Sequence, residues 1–325
     1  MFPLRDINPS RNKPVATYTL ITLNVVCYVI QMSYGANVDQ FNFYYGLVPA
    51  RFTLSEYSFY FSFFENISTF FTYMFLHGSL WHLLGNMWFL YIFGDNVEDT
   101  LGTFRYLTFY VLCGVLSGLA HFMFNMTSNM PTIGASGAIS GVMGAYLVLF
   151  PRSKILTLFP IFIIPLFFQI PAFIFLGIWL FFQIISAISS HGDFTSVAWW
   201  AHIGGFLTGA VLIKMMKTIP SAGISEKITK YTEKKTTEGF QLIQPKSISI
   251  DDPNLYAMLT LTPFEAARGT RKLINIPWGF YKRLYRVTIP PGSSEGQQLR
   301  LAGMGKEMVN GQKGDLYLRI AFRQY

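Results

Sequence analysis

Charged residues are scarce in this chain of 325 residues. Asp, Glu, Lys and Arg together make up 13% of it, whereas hydrophobic residues make up 51% and the mean hydropathy is +0.35. A soluble globular domain carries about 25% charged residues. The composition therefore argues against an ordinary soluble protein and indicates a membrane protein, although residues 218–325 have a water-soluble character of their own.

Cysteine is also scarce, and acidic residues are fewer than basic ones. The two cysteines, Cys27 and Cys113, both lie in apolar segments, which argues against a disulfide framework and favours a packing role. The net charge is +8, and many of the basic residues follow residue 226, where they can attract anionic lipid head groups. Because no recognised nucleic-acid-binding motif accompanies this charge, we expect no nucleic-acid partner.

Long apolar runs dominate the first two thirds of the chain, and six of them approach the roughly 20 residues that a bilayer crossing requires. They lie at 16–34, 80–97, 104–124, 134–150, 170–188 and 198–216. The first is long for a signal peptide, and no small-residue cleavage site follows it. Pro160 and Pro165 interrupt a further apolar stretch, 155–169, which we interpret as a connecting or re-entrant piece. The sequence thus predicts an all-α polytopic membrane domain of six helices over residues 16–217.

Basic residues indicate the orientation of these helices. Arg5 and Lys13 precede the first helix, and Arg152 and Lys154 follow the fourth. Because Lys and Arg collect on the cytoplasmic side, the N-terminal residues 1–15 and the C-terminus are both predicted to be cytoplasmic.

Two further segments lie outside the predicted helices. Residues 35–65 are rich in Phe and Tyr, which suits the interface between lipid and water, or a covered loop packed on the bundle; the two are compatible. Residues 218–250 are polar and predict a linker.

The C-terminal region shows a different pattern from the membrane segments. Residues 255–261, 283–289 and 315–322 alternate as strands do, and turn-forming sequences such as 290-PPGSSEG-296 separate them. Residues 251–325 are therefore predicted to form a small, mainly β domain.

Two of the predicted membrane helices carry polar residues at comparable depth. Ser136 lies a few residues into the fourth helix, in 132-TIGASGAISGVMGA-145, and His202 lies a few residues into the sixth, in 201-AHIGGFLTGA-210. Small residues at four-residue spacing in both stretches let membrane helices approach closely. A serine hydroxyl within reach of an imidazole is an activated nucleophile, because the histidine takes its proton as the serine attacks a carbonyl.

A simpler interpretation exists for each feature taken alone. Small residues at every fourth position usually serve helix packing. Ionisable residues within membrane segments are costly and tend to mark function. The combination of Ser136 and His202 at matched depth favours a functional pair over either feature by itself.

A third element lies on the second predicted helix. His82 and Asn86 are four residues apart and share one face. An imidazole N–H and an amide NH₂ can stabilise the oxyanion of a tetrahedral acyl intermediate, although polar contacts between helices would use the same residues. We interpret His77 as structural, and His121 as structural or interfacial.

These segments carry a family resemblance when they are taken together. In this order, 77-HGSLWHLLGNMWFLYIFGDNVED-99, 134-GASGAISGVMGA-145 and 201-AHIGGFLTGA-210 resemble the signature segments of bacterial rhomboid intramembrane serine proteases, over about residues 16–217. The resemblance implies a Ser–His dyad without a third acidic member, with Ser136 as nucleophile and His202 as base.

The resemblance also implies the roles of neighbouring groups. His82 and Asn86 would help the backbone N–H groups at Ser136 and its neighbours to bind the oxyanion. The substrates would be membrane-anchored proteins, cleaved near a helix-destabilising site, and the membrane would be the bacterial inner (cytoplasmic) membrane. Ser140 departs from the family pattern, because many members place there an aromatic residue that packs on the histidine. The source of the supporting contact to His202 is therefore open.

Residues 251–325 resemble a C-terminal β domain of the Hsp40 (DnaJ) co-chaperones, through LTPFEAARGTRKLINIPWG and RVTIPPGSSEGQQLRLAGMGK. The His-Pro-Asp tripeptide and the CxxC zinc repeat do not occur, so stimulation of Hsp70 is not expected. The resemblance implies weak binding of unfolded polypeptide, or self-association. A plain scaffold domain is the alternative.

We therefore expect an intramembrane serine endopeptidase that acts on membrane-anchored proteins in the lipid bilayer, without a cofactor or a metal. The alternative is a catalytically silent relative that binds transmembrane helices in quality control or trafficking. The presence of both Ser136 and His202 argues against that alternative. A channel or transporter is disfavoured, because polar residues do not line a path across the full thickness of the membrane.

Overall fold

The computed structural model separates the chain into two units, Met1–Lys234 and Lys235–Tyr325. It describes residues 2–8, 10, 12–57, 59–161, 164–189, 197–218, 240–243, 245–247, 252–278, 281–306 and 313–322. Most of the predicted linker, 218–250, lies outside the described residues.

Helices build most of the first unit. They are α1 Val15–Ser33, α2 Val38–Tyr45, α3 Ala50–Thr53, α4 Phe63–Thr72, α5 Leu80–Leu101, α6 Thr103–Phe124, α7 Ser136–Leu149, α8 Ala172–Ser189 and α9 Trp199–Thr218. Six of them, α1 and α5 to α9, coincide with the six predicted membrane segments, so the predicted helical membrane domain is confirmed.

The long helices differ in how much lipid they can cross. On length and composition, α1, α6 and α8 qualify as membrane-spanning helices among the described residues. Helix α7 has 14 residues and is about 21 Å long, which is shorter than a hydrocarbon core of about 30 Å. Its side chains from Gly137 to Tyr146 are all buried. It is therefore an internal helix, enclosed by its neighbours and sheltered from lipid.

Glycines set the contact between α7 and α9. A Cβ atom on Gly205 would overlap the carbonyl oxygen of Gly137, and one on Gly209 would overlap that of Gly141. Helix α6 packs against the same pair, and Ser117 Oγ donates to the Ala201 carbonyl oxygen at 2.8 Å. Glycine at these positions lets the two backbones touch, as the small-residue spacing predicts.

Residues 155–169 connect α7 to α8, which agrees with the connecting interpretation, but the connection is a β hairpin and no re-entrant piece. These residues form a hairpin of β2 Lys154–Ile161 and β3 Ile164–Pro171, and β1 Phe2–Asp6 adds to it in the antiparallel order β1-β2-β3. The prolines fit because Pro160 pairs with Pro165 near the end of the hairpin, beyond the residues with which β1 pairs. A missing backbone N–H is tolerated at such an edge.

Carboxyl groups fasten the N-terminal residues to the bundle. Glu98 accepts the backbone N–H groups of Ala16 and Thr17 at 2.8 Å each, which caps the start of α1. Asp6 accepts from Tyr146 Oη and from Asn96 Nδ2, also at 2.8 Å each. Desolvation, together with the nearby Asp95 carboxylate, raises the pKa of Asp6 to about 8. These contacts hold β1 against α5 and α7.

The aromatic-rich segment 35–65 is divided between the two predicted environments. Arg51 is buried and donates to the carbonyl oxygens of Phe43 and Tyr44 and to Asn66 Oδ1. Other side chains of the segment are strongly exposed, which suits an interface with lipid. These are Phe59, Tyr60, Phe63 and Phe64, with exposed fractions of 71–92%.

The second unit is mainly β, as predicted. Its elements are β4 Phe240–Leu242, β5 Leu255–Leu261, α10 Pro263–Arg268, β6 Thr270–Trp278, β7 Tyr281–Ile289, β8 Gln298–Leu301 and β9 Leu316–Phe322. They form two three-stranded sheets, β4-β6-β7 and β5-β9-β8, in which the pairs β4–β6 and β5–β9 are parallel. Alternating apolar residues of β5 and β9 fill its core.

Candidate active site

A serine and a histidine meet where α7 and α9 begin. Ser136 is the first residue of α7, and His202 lies in the first turn of α9. Ser136 Oγ lies 2.8 Å from His202 Nε2, which is hydrogen-bond distance. The glycine contacts between the two helices bring their backbones close enough for this bond to form. The structure thus brings together the two residues that the sequence pattern pairs.

The other ring nitrogen of His202 has a partner that the sequence analysis missed. His202 Nδ1 lies 2.7 Å from Oε1 of Gln183, on α8. The Trp179 and Trp199 rings flank the imidazole, with centroids 6.1 and 6.0 Å from it. The sequence does contain a feature that could have identified Gln183. It is an amide side chain within a strongly apolar helix, where a polar group needs a hydrogen-bond partner.

Ser140 does not supply the contact to His202 that an aromatic residue at this position would make. Its hydroxyl donates to the Ser136 carbonyl oxygen at 2.7 Å, one turn earlier in α7. The support for His202 comes instead from α8 and from the start of α9. The supporting contact to His202, which the sequence left open, therefore comes from residues that are distant from Ser140 in the sequence.

His82 and Ser136 lie on either side of Gly134. Gly134 has a φ of +131°, which disfavours any residue with a side chain. A Cβ atom at this position would lie 2.9 Å from His82 Nε2 and 3.6 Å from Ser136 Oγ. His82 Nδ1 faces the backbone N–H of Gly78 at 3.4 Å, so its proton belongs on Nε2, the nitrogen that faces Gly134.

Asn86 lies one turn further along α5 than His82. Its Nδ2 atom is buried and has no hydrogen-bond partner among the described residues. An unpaired buried donor is costly, and such groups call for an explanation in terms of function or an absent ligand. As whole residues, Ser136, His202, His82 and Asn86 are all partly exposed.

The remaining membrane histidines have structural contacts. The backbone of buried His77 exchanges two hydrogen bonds with the Gln31 side chain, at 2.9 and 3.0 Å. His121 Nε2 lies 2.8 Å from Thr132 Oγ1. These contacts agree with the structural roles predicted for both residues.

The helical bundle and the paired polar residues define a class of protein: a multi-pass integral membrane protein with a Ser–His pair at one end of its internal helix. Comparison with protein families agrees. Residues 65–218 match the Rhomboid domain, and residues 252–325 match the DnaJ C terminal domain. A match to the Rhomboid domain thus lies in the membrane part of the chain, and a match to the DnaJ C terminal domain follows it.

Curated relatives share the rhomboid part. The chain is 30% identical over 144 residues to Rhomboid protein 1, mitochondrial, of Saccharomyces cerevisiae, covering 42% of this chain and 38% of the relative. It is 28% identical over 175 residues to Rhomboid-like protein 11, chloroplastic, of Arabidopsis thaliana, covering 50% and 56%. It is 30% identical over 87 residues to the human Presenilin-associated rhomboid-like protein, mitochondrial, covering 26% and 23%. The chain thus spans about half or less of the length of these relatives.

Proposed function

We propose that this protein is an intramembrane serine endopeptidase that hydrolyses peptide bonds of membrane-anchored proteins with a Ser136–His202 dyad. The single observation that carries the proposal is the 2.8 Å separation between Ser136 Oγ and His202 Nε2. A hydroxyl bonded to the lone pair of a neutral imidazole is the arrangement that activates serine as a nucleophile. The match to the Rhomboid domain supports the same reaction class.

The reaction follows from the positions of these atoms. Ser136 Oγ attacks the scissile carbonyl carbon while His202 Nε2 takes the hydroxyl proton. When the tetrahedral intermediate collapses, the C–N bond breaks and the same Nε2–H protonates the leaving amine. A water molecule then attacks the acyl-enzyme, again with His202 as base, and releases the second product and the free serine.

The negative charge that develops on the carbonyl oxygen needs hydrogen-bond donors. His82 Nε2–H and Asn86 Nδ2 supply two of them in this proposal, and the Asn86 donor has no partner to give up among the described residues. The first N–H groups of α7 have no intrahelical acceptor and supply further donors beside Ser136. Their position at a helix N-terminus also favours a negative charge.

We further propose that both termini are cytoplasmic, as the basic residues of the sequence indicate. The bacterial inner membrane stays a prediction from the family resemblance, since the relatives named above are mitochondrial or chloroplastic. For the DnaJ C-terminal domain we propose weak binding of unfolded polypeptide or self-association, with a scaffold role as the alternative.

The proposal is tested with purified protein and a single-span model substrate. We expect Ser136→Ala and His202→Ala each to lose cleavage by at least about 10³-fold, because each removes one half of the proton transfer. Ser33→Ala, which removes an exposed hydroxyl bonded to the Ile30 carbonyl at the end of α1, is the matched control and should cleave normally. Cleavage that survives in Ser136→Ala would exclude the dyad. Binding of the substrate without cleavage by the unaltered protein would identify a silent relative instead.

A further inference from the structure

The side chain that faces the outer nitrogen of His202 is itself held in place. Gln183 lies on α8 and is only 8% exposed. Its Oε1 lies 2.7 Å from His202 Nδ1, and its Nε2 donates to the Trp179 carbonyl oxygen at 3.4 Å, one turn earlier in the same helix. One amide therefore connects the backbone of α8 to the imidazole on α9.

The two contacts of this amide fix its direction. With its NH₂ group toward the Trp179 carbonyl oxygen, the amide turns its oxygen to His202, whereas the reversed amide would place two oxygen atoms against each other at Trp179. An amide oxygen accepts hydrogen bonds and cannot donate, so His202 Nδ1 must carry the proton. Nε2 is then the unprotonated nitrogen, and it is the one that faces Ser136 Oγ.

The tautomer decides whether the pair can react. With the proton on Nε2, the imidazole would offer Ser136 a donor and would have no lone pair to receive the hydroxyl proton. In a Ser-His-Asp triad, an orienting group that selects the wrong tautomer lowers kcat by about 10⁴. A dyad that lacks an acidic third member still needs some group to make this choice.

We propose that Gln183 is the positioning residue of the dyad: it holds the proton of His202 on Nδ1 and orients the ring toward Ser136. The inference rests on the proposed function and deepens it. Trp179 and Trp199 limit rotation of the ring, and Gln183 selects the nitrogen that is protonated. Two titratable groups act electrostatically on His202, namely His82 and His121. Neither forms a hydrogen bond with the His202 ring in the described part of the chain.

Two substitutions distinguish the effect of losing the hydrogen-bond acceptor of Gln183 from the effect of changing its side-chain volume. Gln183→Met keeps a similar length and removes the acceptor, whereas Gln183→Glu keeps an acceptor oxygen. Phe181→Met is the matched control on the same helix, because the Phe181 side chain is 58% exposed and, two residues before Gln183, does not share its helix face. Each variant is assayed for kcat and KM with a single-span substrate, and its thermal melting is measured to establish folding.

We expect Gln183→Met to lower kcat by about 10- to 100-fold with little change in KM, since Gln183 is 8% exposed and acts through His202. Gln183→Glu should recover much of that loss, and Phe181→Met should match the unaltered protein. A folded Gln183→Met variant with normal kcat would overturn the proposal. So would a Gln183→Glu variant that is no more active than Gln183→Met.

A spectroscopic measurement tests the tautomer without turnover. In protein labelled with ¹⁵N-histidine, the His202 signals are identified by their loss in His202→Ala, and they should show a protonated Nδ1 and an unprotonated Nε2. Gln183→Met should change this pattern. A protonated Nε2 in the unaltered protein would overturn the proposal even if the Met variant fails to fold. A protein that shows the expected tautomer yet cleaves nothing would overturn the proposed function instead.

Discussion

Asn86 is the residue at which the oxyanion proposal is most open to test. Its amide nitrogen is buried and unpaired among the described residues, so removing it breaks no structural hydrogen bond of that atom. Loss of one oxyanion donor costs about 10²–10³ in kcat in a serine protease. Because His82 and backbone groups remain, we expect Asn86→Ala to lower kcat by about 10- to 100-fold, with KM nearly unchanged.

The measurement is steady-state cleavage of a single-span substrate, and Asn129→Ala is the matched control. Asn129 is an exposed amide whose side chain bonds only to Tyr57 Oη in the described contacts. Its loss should leave kcat unchanged. If Asn86→Ala cleaves as fast as the unaltered protein, Asn86 is a polar contact between helices and no oxyanion donor.

Sequence reasoning found some residues of the site and missed others for a physical reason. Ser136 and His202 were paired because their depth follows from their position along two helices. Gln183 was missed because its contact depends on how α8 is rotated about its axis, and an apolar helix in lipid gives no amphipathic pattern that fixes that rotation. The direction of the Gln183 amide required the coordinates of the Trp179 carbonyl group.

At the scale of elements, the contact between α7 and α9 holds the dyad together. A Cβ atom on Gly209 would overlap backbone atoms of Gly141, which cannot rotate away as a side chain does. Gly209→Ala therefore has to push the helices apart, at a cost of about 1–3 kcal/mol for overpacking. We expect it to lower the melting temperature and to reduce cleavage, because the Ser136–His202 distance increases.

Gly177→Ala on α8 is the control for this substitution. A Cβ atom there meets no other atom within 4 Å, so it should leave folding and cleavage intact. Thermal melting in detergent and cleavage are measured on both variants. A Gly209→Ala variant with normal melting and normal activity would show that close packing of α7 and α9 is not what positions the dyad.

Elements differed in how well the sequence predicted them. The long helices were predicted because apolar length is a direct signal. The β2–β3 hairpin was missed because both strands are apolar nearly throughout, so they lack the alternation that identifies a half-buried strand, and the two prolines indicated a break. Pairing with β1, more than 140 residues earlier, was not visible in any local pattern.

At the scale of the whole molecule, every residue of the candidate site belongs to the first of the two units. Ser136, His202, Gln183, His82 and Asn86 come from four helices of that unit, and the second unit supplies none of them among the described residues. The composition of the chain already indicated this division, because apolar residues are concentrated before residue 218 and strand patterns follow residue 251. The proposed chemistry therefore belongs to the part of the chain that matches the Rhomboid domain.

The most direct test of the central claim is the site of covalent labelling by a serine-directed phosphonate in the full chain. Intact-mass and peptide mass spectrometry should find one adduct, on Ser136, and His202→Ala should slow its formation by about 10²-fold or more, because the hydroxyl then lacks its base. An adduct on another residue, or labelling of Ser136 at the same rate without His202, would contradict the account.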